Sequence, residues 1–179
     1  TSLKALDAKL GGLQPSDLVI LAGRPSMGKT ALATNIAYSI ARARARSLQD
    51  RPDLKPDDIA HDGAVVGFFS LEMSAEQLAT RILAEQAEIS SEKIRRGMID
   101  ELEFKRLVQA SQQMAEIPLF IDQTGGISIA QLAARARKLK RQRGLGLLIV
   151  DYLQLLTGSA KRSSEGRVQE VSEITTGLK

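Results

Sequence analysis

Leu18-Val19-Ile20-Leu21-Ala22 is an unbroken apolar run that leads straight into Gly23-Arg24-Pro25-Ser26-Met27-Gly28-Lys29-Thr30. The pattern is a buried strand, a glycine-bounded loop ending in Gly-Lys-Thr, and then an alanine-rich helix. A loop that wraps into a helix N-terminus aims successive backbone N–H groups and the positive end of the helix dipole at one point. A phosphate chain is a dense anion and needs such converging donors. Gly28 lets the backbone approach without a Cβ in the way. Lys29 has the reach for the β- and γ-phosphates, and Thr30 carries a hydroxyl for Mg²⁺. The residues expected around the phosphates are Gly23, Ser26, Met27, Gly28, Lys29, Thr30 and Ala31. The loop points to ATP or a related triphosphate but not to one class of enzyme, since kinases, GTPases and motor ATPases all use it.

The rest of the composition narrows the field. A chain of 179 residues, 43% of them hydrophobic, fits one domain with a real core. It has no cysteine, hence no disulfide framework and no thiolate metal site. No apolar run approaches the roughly 18 residues of a membrane span, and Thr1-Ser2-Leu3-Lys4 does not open a signal segment, so a cytoplasmic protein is expected. The net charge of +4 permits nucleic-acid contact without demanding it. Aromatic residues make up only 3%, too few for a base-stacking platform, so any single-strand binding must rest on phosphate contacts.

Along the chain, residues 3–10 read as a short helix stopped by Gly11-Gly12, and 18–22 as the first strand. A helix is expected from 29 to 46, with Arg42, Arg44 and Arg46 complementing the dipole at its end. Residues 47–63 are polar and rich in Asp, with Pro52 and Pro56, and read as a long mobile insertion. His61 within it reads as surface. Ala64-Val65-Val66-Gly67-Phe68-Phe69-Ser70 is a second strand, followed by a helix from 75 to about 88 capped by Ser74. A further helix spans 100–116, with Phe104, Leu107, Val108, Met114 and Ala115 on one stripe. Leu119-Phe120-Ile121 is a third strand, 128–143 a helix capped by Ser128, and Leu147-Leu148-Ile149-Val150 a fourth strand. A last helix carries Val168, Val171, Ile174 and Leu178. Apolar strands alternating with helices predict an α/β fold with a mostly parallel sheet and helices on both faces.

Two acids stand at strand ends. Buried parallel strands deliver their C-terminal residues to the ligand edge of the sheet. Asp151, after four apolar residues, suits Mg²⁺ opposite Thr30, or simply caps the next turn. Glu72, closing Ser70-Leu71-Glu72-Met73, suits a base that polarises water for attack on the γ-phosphate, or a helix-cap acid beside Ser74.

Taken together, 23–30, Phe68-Phe69-Ser70-Leu71-Glu72-Met73-Ser74 and Val150-Asp151-Tyr152-Leu153-Gln154-Leu155 resemble the ATPase domain of bacterial replicative DNA helicases of the DnaB type. Lys93-Ile94-Arg95-Arg96-Gly97 and Val168-Gln169-Glu170-Val171-Ser172-Glu173-Ile174 resemble that family as well. The similarity covers nearly the whole chain and is weakest over 47–62. It implies a RecA-like P-loop core, a homohexameric ring, and 5′→3′ translocation on single-stranded DNA with ATP and Mg²⁺. Primase and a helicase loader are the partners it implies. It makes Lys29 and Thr30 the phosphate and Mg²⁺ residues, Asp151 the second Mg²⁺ residue and Glu72 the catalytic base. It also implies that 1–179 is part of a larger domain. The later strand that lies between the two nucleotide-binding strands, the γ-phosphate sensor, the arginine finger and the main DNA loop are then expected outside it.

Two basic segments remain. The 128–143 helix sets Ile129, Leu132, Ala133, Ala136 and Leu139 on one stripe, with Arg135, Arg137, Lys138, Lys140, Arg141 and Arg143 mostly opposite, as a solvated face or a contact with a neighbouring subunit. The loop 158–167 leaves the Asp151 strand with Lys161, Arg162 and Arg167, and is expected either to face DNA or to run free in solvent. Besides the helicase, a RecA-like recombinase or regulatory ATPase without unwinding activity, and a small-molecule kinase, share the loop. Tyr152-Leu153-Gln154-Leu155 favours the helicase.

Overall fold

The structure is a computed structural model and describes residues 1–53, 62–156 and 175–176. In chain order it holds α1 (Lys4–Leu10), α2 (Lys29–Asp50), β1 (Val65–Ser70), α3 (Ala75–Gln86), α4 (Ser91–Arg96), α5 (Glu101–Glu116), β2 (Leu119–Asp122), α6 (Ile129–Arg143) and β3 (Leu145–Asp151), closed by a 3₁₀ turn at Leu153–Leu155. The strands form one parallel sheet in the order β2-β1-β3, with Phe68 opposite Ile121 and Ile149, and Ser70 opposite Asp151.

Side-chain alternation along the strands splits the core into two layers. Val66 and Phe68 of β1, with Leu147 and Ile149 of β3, pack against Ala37, Tyr38 and Ala41 of α2 and Leu78 and Ile82 of α3. Phe69 and Leu71, with Leu148 and Val150, face Ile127, Ile129 and Leu132 on the α6 side. Gly67 lies on that second face, where an added Cβ would stand 3.0 Å from Leu139 Cδ2 and 3.1 Å from Leu145 Cδ1; its missing side chain lets α6 settle onto the sheet. Helices therefore cover both faces, as the alternating pattern predicts.

The direction of α2 matters for the site. Ala64 N–H, at the entry to β1, donates to the Ile40 carbonyl at 3.3 Å, and a Cβ on Gly63 would collide with the backbone of Ile40 and Arg44. The C-terminal half of α2 is thus held at the start of β1. The helix runs antiparallel to the strand and brings its N-terminus to the C-terminal edge of the sheet.

Several expectations change. α2 continues to Asp50, one turn beyond 46, because Ser47-Leu48-Gln49 sustain a helix well. Its last turn carries no basic residue, so Arg42, Arg44 and Arg46 sit too early to complement the helix end. Residues 54–61, with His61, and the helix expected over 168–178, apart from its two described residues, lie outside the described residues. The 18–22 run enters no ladder: Leu18, Val19, Ile20 and Leu21 are all exposed, Ile20 at 62%. Three strands are described where four were expected. A strand is satisfied only by neighbours on its hydrogen-bonding edges, and among the described residues β3 pairs with β1 alone. The α5 stripe also divides: Leu107 and Met114 turn inward, while Phe104 (54% exposed) and Val108 face out.

Candidate nucleotide site

The helix ends show where a ligand belongs. Helix N-termini leave N–H groups without intrahelical partners, and proteins ordinarily cap them. α3, α5 and α6 do so with full capping boxes: Ser74 with Gln77, Asp100 with Glu103, and Ser128 with Gln131. α2, the longest helix described, does not. Its N-cap is Gly28 in the left-handed region (φ 82°), with no side-chain cap and no acid in the first turn. The N–H groups of Lys29, Thr30 and Ala31 therefore converge, with no side-chain cap among the described residues, at the positive end of a 22-residue helix.

The loop before them is folded, not slack. Lys29 Nζ donates to the carbonyls of Gly23 and Arg24, each at 3.1 Å, and Met27 N–H donates to the Arg24 carbonyl at 3.3 Å. Ser26 also takes a left-handed conformation (φ 63°). Gly23, Ser26, Met27 and Gly28 are exposed around this turn, with Lys29, Thr30 and Ala31 half-buried behind it. The structure thus brings the expected phosphate residues together at one helix end.

Asp151 ends β3 opposite Ser70. Following the alternation from Ile149, it lies on the α2 face at the C-terminal edge, the same end of the sheet as the N-terminus of α2. It is 8% exposed, and its Oδ2 is buried with no hydrogen-bond partner among the described residues. A buried carboxylate oxygen left without a donor is costly unless a cation meets it. This oxygen, on the same face and edge of the sheet as the helix end that bears the Thr30 hydroxyl, suits a divalent cation. Among the described residues no cluster of three or more His, Cys, Asp or Glu side chains competes for one.

Glu72 follows the end of β1 and is exposed. Its loop is tied to the Asp151 strand, because Leu71 N–H donates to the Asp151 carbonyl at 2.7 Å. Both acids thus stand at one sheet edge. The cap next to Glu72 is supplied by Ser74, which removes the need for Glu72 to serve as one. Lys161, Arg162 and Arg167 lie outside the described residues.

The sequence reading missed a set of polar residues at the end of β2. Arg135 Nη1 of α6 donates to Asp122 Oδ2 and to Thr124 Oγ1, both at 2.6 Å, and Thr124 N–H donates to Asp122 Oδ1 at 2.9 Å. Burial pushes the Asp122 carboxyl up, but the Thr124 hydroxyl, the Arg135 guanidinium and the Thr124 N–H outweigh it and hold it below the usual carboxylate range. Arg135 is therefore not part of a purely solvated basic face. The signal was a polar Asp-Gln-Thr at the same edge as Glu72 and Asp151.

Comparison with known proteins agrees with this geometry. The family described as "DnaB-like helicase C terminal domain" matches residues 1–179. The chain is 48% identical to the replicative DNA helicase DnaB of Rickettsia typhi over 180 aligned positions, and 43% identical to that of Synechocystis. It spans 34% of the first relative's length and 18% of the second's. Among solved structures, a DnaB-like replicative helicase described with its interactions with primase superposes with a TM-score of 0.73 at 26% identity, over 98% of this chain and 39% of that one. A second solved structure, of an ATPase domain, gives the same TM-score and identity, with 56% of its chain covered. The core is RecA-like, as the motif order implied. No helix among the described residues is long and apolar enough to cross a membrane. The chain belongs to the DnaB-like helicase C-terminal domain family.

Proposed function

We propose that this chain is the ATP-hydrolysing core of a replicative DNA helicase motor. The motor acts in the cytoplasm as a homohexamer, moves 5′→3′ on single-stranded DNA, and meets a primase and a loader. The observation that carries the reading is the contrast in helix ends: among the described helices of ten residues or more, α3, α5 and α6 are capped by their own side chains, and α2 presents bare N–H groups behind a folded loop. Family membership supports the same reading.

In this mechanism the N–H groups of Gly28, Lys29, Thr30 and Ala31 cradle the β-phosphate, with Gly23, Ser26 and Met27 shaping the loop. The Lys29 ammonium exchanges its carbonyl partners for phosphate oxygens and draws charge from the γ-phosphate. Thr30 and Asp151 would hold Mg²⁺, which would neutralise negative charge on the phosphate chain. Glu72 orients a water and takes its proton as the water attacks. The loop 158–167 offers Lys161, Arg162 and Arg167 to the phosphates of the DNA strand.

The test is ATP turnover by the full-length protein with and without single-stranded DNA, for wild type and Glu72→Gln. Wild type is expected to be stimulated by DNA. The variant is expected to keep nucleotide affinity and to lose on the order of 100-fold or more in kcat. Normal turnover by Glu72→Gln would move the base elsewhere. Changing Lys161, Arg162 and Arg167 to Ala is expected to weaken single-strand binding whatever the sequence. It should also flatten the log–log salt slope by roughly 0.7 per lost contact, read from affinities at several salt concentrations. An unchanged slope leaves that loop as a solvent-exposed connector.

A further inference from the structure

Glu72 makes no hydrogen bond or ion pair among the described residues, so its position is set by the backbone on either side of it. Behind it, Leu71 N–H is fixed to the Asp151 carbonyl at 2.7 Å. Across its turn, the Ser70 hydroxyl, buried at 1% exposure, donates to the Met73 carbonyl at 2.7 Å. Ahead of it, α3 begins at Ala75. The Ser74–Gln77 box satisfies the N–H groups of Gln77 and Ser74, but leaves the first helical N–H, that of Ala75, unclaimed. Its partner comes from 48 residues away: Gln123 Oε1 accepts from Ala75 N–H at 2.5 Å. Gln123 is itself held between Asp122 and Thr124, the two residues that Arg135 grips.

We propose that Gln123 is a positioning residue for Glu72: by anchoring the first N–H of α3 to the end of β2, it fixes the far side of the turn that carries the carboxylate. The proposal rests on Glu72 acting as the base. A line of direct contacts then runs from α6 through Arg135, the end of β2 and Gln123 to the start of α3, three residues beyond Glu72. A reacting group displaced by about 1 Å can lose up to two orders of magnitude in rate, so a single anchoring hydrogen bond affects turnover more than it affects folding.

Gln123 is exposed, so its replacement leaves the core intact. Gln123→Met keeps the side-chain length and removes the acceptor. Gln123→Glu restores an acceptor oxygen and adds a charge that suits a helix N-terminus. In DNA-stimulated ATP turnover by the full-length protein, Gln123→Met is expected to lower kcat roughly three- to tenfold at unchanged KM for ATP, and Gln123→Glu to stay within about twofold of wild type. In a Glu72→Gln background, measured under single-turnover conditions, Gln123→Met is expected to add no further loss. Wild-type kcat for Gln123→Met, failure of Gln123→Glu to rescue, or an equal loss in both backgrounds overturns the positioning role. If Glu72→Gln itself turns over normally, the reading of Glu72 fails instead, whichever way the Gln123 variants behave.

Discussion

At the scale of single residues, Lys29 both shapes the phosphate loop and charges it. Its ammonium bridges the Gly23 and Arg24 carbonyls, so it closes the loop before it meets a phosphate and supplies a full positive charge afterwards. Lys29→Ala removes both. Turnover by the full-length protein is expected to fall by at least on the order of 100-fold, with nucleotide affinity also reduced, as measured by steady-state kinetics and equilibrium binding. Wild-type turnover would remove Lys29 from the mechanism. Gly28, Lys29, Thr30 and Asp151 were legible in the sequence because their geometry is local: a left-handed glycine at a helix start, and an acid closing an apolar run. Ser70 and Gln123 were not. A buried hydroxyl on a turn and an amide anchoring a helix 48 residues away follow from packing alone, and nothing beside Gln123 in the chain says which N–H it will meet.

At the scale of elements, the capped helices were legible where a Ser or Asp stands three residues before Gln or Glu, whereas the short α4, with Ser90 before it and Gly97 after it, was not expected. The rotation of α5 was not legible either, because a count of apolar positions gives no weight to a carboxylate buried beneath an exposed lysine partner. Glu103 is buried in place of Phe104: it accepts from Lys93 Nζ at 2.7 Å and from Asp100 N–H at 3.0 Å. That pairing turns Phe104 and Val108 outward. The Lys93 hydrogen bond, with the Asp100 N–H, holds the Glu103 carboxyl below its ordinary 4.5. The same bond raises Lys93 above its ordinary 10.5. A carboxylate with a lowered folded value stabilises fully above its unfolded value, and the contribution is lost as pH falls through the folded one. A raised lysine stabilises fully below its unfolded value and loses that as pH rises through the folded one. The pair therefore works between these limits. Glu103→Gln is expected to unfold at lower denaturant than wild type near pH 7, and the gap is expected to close as pH drops below 4.5. A gap that stays constant with pH would assign the stabilisation to packing instead of charge.

At the scale of the whole molecule, parallel strands under two helical layers follow from the alternation of elements, because a parallel crossover has to pass over a sheet face. The strand order does not follow, and neither does the fate of the 18–22 run. Its composition is that of a buried strand, yet it is exposed and unladdered among the described residues, while β3 has one free edge. Composition sets what a segment buries well; only a neighbour with free N–H and C=O groups makes it a strand. A strand seated between β3 and the run that leads into the phosphate loop would supply this neighbour, in keeping with the RecA-like core that the family match supports. The loop would then be anchored at both ends, by the ladder before Gly23 and by α2 after Gly28. Hydrogen exchange reads this directly. The amides of 18–22 are expected to exchange nearly freely in the 179-residue segment. In the full-length protein they are expected to be protected by on the order of 100-fold or more, which corresponds to an opening cost of about 3 kcal/mol. Nucleotide affinity is expected to follow the same order, weaker in the segment than in the full-length protein, because a loop anchored at one end loses entropy on binding that an anchored pair has already given up. Equal exchange in the two proteins would leave the run outside any ladder and the loop dependent on α2 alone.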